Sequence, residues 1–181
     1  MAEKLQGLVD SIVASTAGLP SAEVLASWNP DLSGDIDIVI HADGRWSHAS
    51  DIIQREGLVR LFASLLRRES DGHYYLLTPA EKWRITVERH ALQAIDFERS
   101  GANGDGVWQV LLNTGGRCRV GGNYTLHPEG EAGEPYTELP NGLTAQISRA
   151  AWYRLLDQAV IEGGRAYIIS AGEEIELGRL E

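Results

Sequence analysis

The sequence predicts an α+β fold of two small lobes, each built from a β-hairpin–helix–β-hairpin unit, with one further helix at the N-terminus. Three observations predict it. Apolar residues switch between the alternation of a half-buried strand and the three-to-four spacing of an amphipathic helix. Asp-Gly, Asn-Gly and Gly-Gly pairs, which favour tight turns, fall between the alternating runs. The succession of strand, turn, strand, helix, turn and strand then occurs a second time, 94 residues after the first.

Leu5, Leu8, Val9, Ile12 and Val13 form one apolar stripe, so residues 3–16 read as the N-terminal helix, closed by Gly18. Ser21 is placed to cap a short turn of helix over Val24 and Leu25. Residues 36–40 alternate as a strand, Asp43-Gly44 turns, and residues 46–53 return. A helix follows over about residues 55–68, with Leu58, Leu61, Phe62, Leu65 and Leu66 on one face. Asp71-Gly72 leads into a strand at 74–77. After Thr78-Pro79-Ala80-Glu81, residues 83–87 alternate again.

In the second copy, strands at 136–139 and 143–147 flank Asn141-Gly142. Ser148 caps a helix carrying Trp152, Leu155, Leu156 and Ala159. Gly163-Gly164 turns into 167–169, and residues 175–177 finish the chain's pattern. The offset of 94 pairs Ile53 with Ile147, Arg55 with Arg149, Arg60 with Arg154 and Leu61 with Leu155. Between the copies, residues 91–97 and 107–113 read as strands, and the Gly-rich polar stretch 113–135 suits a long hairpin and a loop. The expected division is an N-terminal helical segment at 1–30, a first lobe at 31–98 and a second, β-rich lobe at 99–181.

Composition narrows the function. An apolar fraction of 43% with 23% charged residues is that of an ordinary globular chain. No stretch approaches the ~18 apolar residues of a membrane span. The N-terminus lacks a basic start followed by an apolar run, so no signal peptide is expected. Cys118 stands alone, which excludes an intramolecular disulfide and suits a reducing, cytoplasmic setting. A net charge of −10 argues against nucleic-acid or anionic-membrane partners. The charge is uneven, however. Residues 45–90 carry eight basic and six acidic side chains, against one and seven in residues 1–44, which leaves room for a local anion-binding patch.

An ordered set of short motifs runs through the chain: Trp28-Asn-Pro, Gly34-Asp-Ile-Asp37, Asp43-Gly-Arg-Trp46, Ile53-Gln-Arg55 and Leu58-Val-Arg-Leu-Phe62. It continues with Asp71-Gly72, Thr78-Pro-Ala-Glu-Lys82 and Ile85-Thr-Val-Glu88, then Pro135-Tyr136, Gly142-Leu143 and Ile147-Ser-Arg149. From residue 26 onward the sequence resembles the bacterial domain-of-unknown-function 1285 family. The resemblance implies two small α+β lobes with repeated motifs and a role in signal transduction. Two departures stand out. The family pattern continues from Val-Glu into Asp-Ala-Pro-Phe, where this chain has Arg89-His90-Ala91-Leu92. The linker 115–122 also differs from the family's acidic turn.

The chemistry-bearing residues form no familiar motif. His41, His48, His73, His90 and His127 lack the close spacing of metal ligands, so no metal and no cofactor are expected. Cys118 lies between Arg117 and Arg119, but on a strand those side chains point to the opposite face. Asn103-Gly-Asp-Gly106 lacks the later glutamate of a calcium loop and reads as a turn. Asp35 and Asp37 share a strand face and could divide acid and base roles, or simply face solvent. Thr78-Pro79-Ala80-Glu81 reads as a rigid bend with capping-box spacing. The alternative places Glu81 and Lys82 with Arg55 and Arg60 in a polar pocket. Arg55 and Arg149 stand at helix starts, where the dipole opposes a cation, so each calls for a carboxylate partner, internal or from a ligand.

Two functions fit. One is a regulatory or ligand-binding module, engaging a small molecule or a protein in a cleft between the lobes, with homo-oligomers allowed; its candidate residues are Arg55, Arg60, Glu81, Lys82 and Arg149. The other is a small hydrolase or isomerase using Asp35, Asp37 or Glu81. The absence of a nucleophile–base motif leans the reading away from an enzyme.

Overall fold

The computed structural model describes residues 7, 9–10, 19–101, 106–122, 124–130 and 133–179. The expected helix over 3–16 and the Asn103–Asp105 turn lie outside this set, apart from residues 7, 9 and 10. The chain divides into two compact units, Met1–Ala91 with Pro140–Leu143, and Leu92–Leu139 with Thr144–Glu181. The break falls just before a long strand, so that strand stays whole in the second unit. Among the described residues, no helix is long and apolar enough to cross a membrane.

The first unit opens with α1 (Ala22–Ser27), capped as expected by Ser21, whose Oγ accepts from the Val24 amide at 3.3 Å. Strand β1 (Leu32–Ile40) turns through Asp43-Gly44 into β2 (Trp46–His48). The expected single return strand is two: Ala49 and Ser50, both left-handed (φ 51° and 72°), fold β3 (Asp51–Ile52) back on β2. No glycine or asparagine marks that turn, so the sequence hid it. Helix α2 (Glu56–Ser64) is shorter than its apolar stripe suggests. Leu65 leaves the helix, its carbonyl accepts from Leu77 N–H, and Leu66 opens β4 (Leu66–Arg68), which pairs with β5 (Tyr74–Leu77). Both leucines are fully buried. Burial is the same for a leucine in either element, so the stripe could not tell helix from strand.

Strand β6 (Lys82–Val87) pairs antiparallel with β5 and parallel with β1, giving a six-stranded sheet in the order β3-β2-β1-β6-β5-β4. Its buried residues include Ile36, Ile38, Ile40, Trp46, Leu76 and Leu77, and Trp46 stacks on Phe62 of α2 at 6.2 Å between ring centroids.

The second unit starts with β7 (Leu92–Ser100) and β8 (Val107–Leu112), followed by the short β9 (Arg117–Arg119) and β10 (Leu126–His127). Strands β11 (Tyr136–Glu138) and β12 (Thr144–Ile147) complete a second six-stranded sheet, β10-β11-β12-β7-β8-β9, in which β12 runs parallel to β7. Helix α3 (Arg149–Leu156) packs on β7, with Ala151 and Leu155 buried. Strands β13 (Val160–Glu162), β14 (Arg165–Ser170) and β15 (Glu173–Arg179) then form a separate three-stranded sheet. Ser170, fully buried, ties it to the larger one: its Oγ accepts from Trp108 N–H at 3.0 Å and donates to the Val120 carbonyl at 2.8 Å.

The fold is therefore α+β with a duplicated hairpin–helix–hairpin unit. Its register contains a slip. β4 and β13 begin 94 residues apart, at Leu66 and Val160, but the helix caps Arg55 and Ser148 are 93 apart, as are buried Phe62 and Leu155. Helix α2 has nine residues and α3 eight, which absorbs the difference.

Candidate functional site

The slip matters for the paired arginines. Arg55 is the cap residue of α2 and makes no side-chain capping bond, so it takes the place of Ser148. Arg149 lies one residue further on, inside the first turn of α3 and in the other unit. Both are exposed, and neither has an ion pair among the described residues. Arg60 pairs with Glu56 one turn earlier, at 3.4 Å on an exposed face, a contact of the weak surface kind.

Lys82 faces a different group of residues. Its Nζ lies 3.2 Å from Glu69 Oε2 and 5.2 Å from the centre of the Tyr75 ring. Arg67 also holds Glu69, and its Nη1 donates to the carbonyls of Trp28 at 2.7 Å and Leu25 at 3.3 Å. Both carbonyls lie at the end of α1, where the Leu25 carbonyl also accepts from the Trp28 amide at 3.2 Å, so Arg67 supplements the helix's own C-terminal bond. Tyr75 O–H donates to Asp71 Oδ2 at 2.6 Å, and this bond, with burial, pushes the phenol up to about 12. For Glu69 burial pushes the carboxyl up, but hydrogen bonds from Arg67 and Lys82 outweigh it and leave it below the usual range. This cluster packs against the small apolar core of Leu25, Tyr75, Leu77 and Trp28. Its charges satisfy one another, which is the pattern of a structural network.

Glu81 closes the hairpin between β5 and β6. Thr78 N–H donates to the Glu81 carbonyl at 2.9 Å, and Thr78 Oγ1 accepts from the amides of Glu81 at 3.0 Å and Ala80 at 3.3 Å. Half of the expected capping box is thus present, used in a turn. Glu81 Oε2 is buried with no hydrogen-bond partner among the described residues. Asp35 is engaged: Arg84, its neighbour across β1 and β6, donates to both its oxygens at 2.6 and 3.1 Å. Asp37 is exposed, and no metal-binding cluster exists among the described residues. Cys118 is largely covered, which pushes its thiol up and away from nucleophilic use.

One arrangement escaped the sequence. His41 Nε2 lies 2.9 Å from Ser47 Oγ, and its Nδ1 lies 3.0 Å from Glu88 Oε1. Glu88 Oε2 also accepts from Ala42 N–H at 2.8 Å, and that bond, with His41, holds its carboxyl below the usual range. The order of groups is that of a nucleophile, base and acid. Ser47, however, is 3% exposed and sits mid-strand between β1 and β3, so His41 itself covers the hydroxyl. The contacts fasten the β1–β2 turn to the end of β6. The hairpin register was the available signal, since it puts Val39 opposite Ser47 and His41 diagonal to it on the same face.

The repeat differs most at its outer edges. In the first unit, the edge strand β4 is packed by the turn Pro140–Gly142, which also touches α1. Asn141 Nδ2 donates to the Ala22 carbonyl, and Gly142 comes so close that an added Cβ would lie 2.8 Å from the Arg68 carbonyl oxygen. In the second unit, β15 has the Gly121-Gly122 turn and β10 against it, with Glu173 accepting from the Gly122 amide at 2.9 Å. The opposite edge, β13, is exposed at all three residues: Val160 is 44% and Ile161 66% exposed. No other large apolar side chain among the described residues is as exposed as Ile161.

These features define a class: a two-unit α+β protein with a duplicated motif, with several charged side chains paired internally and an apolar strand edge open at β13. Comparison with known proteins then supplies a family. The N-terminal domain of the domain of unknown function DUF1285 matches residues 24–90. A crystal structure of a DUF1285 family protein from Silicibacter pomeroyi DSS-3 is 33% identical with a TM-score of 0.79, the similarity covering 95% of this chain and 94% of that one. Another, from Shewanella baltica OS155, is 28% identical with a TM-score of 0.55, over 66% of this chain and 90% of that one. No curated protein matches. The chain belongs to the DUF1285 family.

Proposed function

We propose that this protein is a regulatory module that works by docking an extended protein segment onto the open edge of its second unit, and not by turning over a substrate. The observation that carries the reading is the contrast between the two copies: β4 is covered by Pro140–Gly142, whereas its counterpart β13 presents Val160 and Ile161 to solvent. Edge strands carry unpaired amides and carbonyls, and proteins ordinarily protect them with lysine, proline, a bulge or a cover. β13 has none of the first three, and its pairing with β14 is regular from Val160 to Glu162. A segment added there gains backbone hydrogen bonds, with alternate side chains giving specificity. An apolar residue set against Val160 and a basic one against Glu162 fit that edge.

The internal pairing of Asp35, Lys82 and Ser47 supports the same reading. Asp35 is held by Arg84, Lys82 by Glu69, and the Ser47 hydroxyl lies beneath His41. A docking module of this kind suits signal transduction, and the single cysteine suits the cytoplasm.

A photo-crosslinking residue placed at Ile161 in the full-length chain, expressed in its native host, tests the proposal. Adducts are expected from position 161, absent from a crosslinker at the exposed Asp37, and lost when Val160→Lys is added. A chain that forms no adduct at 161, or one that Val160→Lys leaves unchanged, refutes it.

A further inference from the structure

We draw no further inference here: the strongest candidate, the side-chain cluster of Ser47, His41 and Glu88 at the β1–β2 turn, carries none, because the Ser47 hydroxyl is buried beneath His41 and the contacts of the cluster belong to the fastening of that turn to β6 already described.

Discussion

Replacing Gly142 and Gly163 by alanine, one at a time, measures how tightly the first unit's edge is covered. Both glycines are left-handed, with φ of +69° and +58°. Each alanine therefore costs about 1 kcal/mol for entering a region unfavourable to a Cβ. Gly163 has open space around it, so that cost is the whole effect. At Gly142 the new Cβ would also lie 2.8 Å from the Arg68 carbonyl oxygen, a backbone atom held in β4. Relieving such a contact costs about 2 kcal/mol more. Gly163→Ala should thus lower stability by about 1 kcal/mol and Gly142→Ala by about 3 kcal/mol. With a slope of about 2 kcal/mol per molar urea, the two midpoints should differ by about 1 M in fluorescence-monitored unfolding. If Gly142→Ala falls within about 0.5 kcal/mol of Gly163→Ala, the turn does not press on β4. The contrast between covered and open edges would then lose its basis.

Three further outcomes follow from the polar networks. Ser170→Ala leaves the buried Trp108 amide and Val120 carbonyl without their shared partner, so thermal unfolding should show a loss of about 2–3 kcal/mol. Tyr75 should titrate near 12 by phenolate absorbance, and Asp71→Asn should bring it down toward the ordinary tyrosine value. Because the folded value is raised, the stability linked to Tyr75 is present below about pH 10 and is lost as pH rises through about 12. Glu69 has the opposite sign: its folded value is lowered, so its contribution is present above the ordinary carboxylate range and lost as pH falls through the lowered value. Glu69→Gln should flatten acid destabilisation below about pH 4.3 in a series of urea titrations.

The parts of the fold legible in the sequence were those set by local chemistry. Ser21 and Ser148 cap the helices they were expected to cap, and Gly44, Gly72, Gly163 and Gly164 have the positive φ their turns require. The duplicated unit was legible because two turn-flanked hairpins and a helical stripe agree in order. Tertiary pairing decided the rest. Leu65 and Leu66 satisfy a helical stripe equally well as a strand entrance, and only the β4–β5 pairing selects between them. Ala49-Ser50 forms a tight turn without the residues that announce one.

The candidate site was less legible, because it depends on which strands become neighbours. Lys82 meets Glu69 through the β4–β5–β6 meander, whereas Arg55 and Arg149 meet no internal carboxylate among the described residues. The offset of 94 that paired those two arginines holds where β4 and β13 begin and is 93 at the helix caps, so they occupy unequal positions. The edge at β13 had only a weak signal, the β-branched pair Val160-Ile161 before Gly163-Gly164. Its exposure follows from what packs elsewhere, which no local pattern encodes.

Amide hydrogen exchange at the two edge strands tests the central claim most directly. In the dilute chain the backbone amides of Val160–Glu162 should exchange at least about tenfold faster than those of Leu66–Arg68, because one edge is open and the other covered. If β13 is as protected as β4 in the dilute chain, its edge is already occupied and the account is wrong.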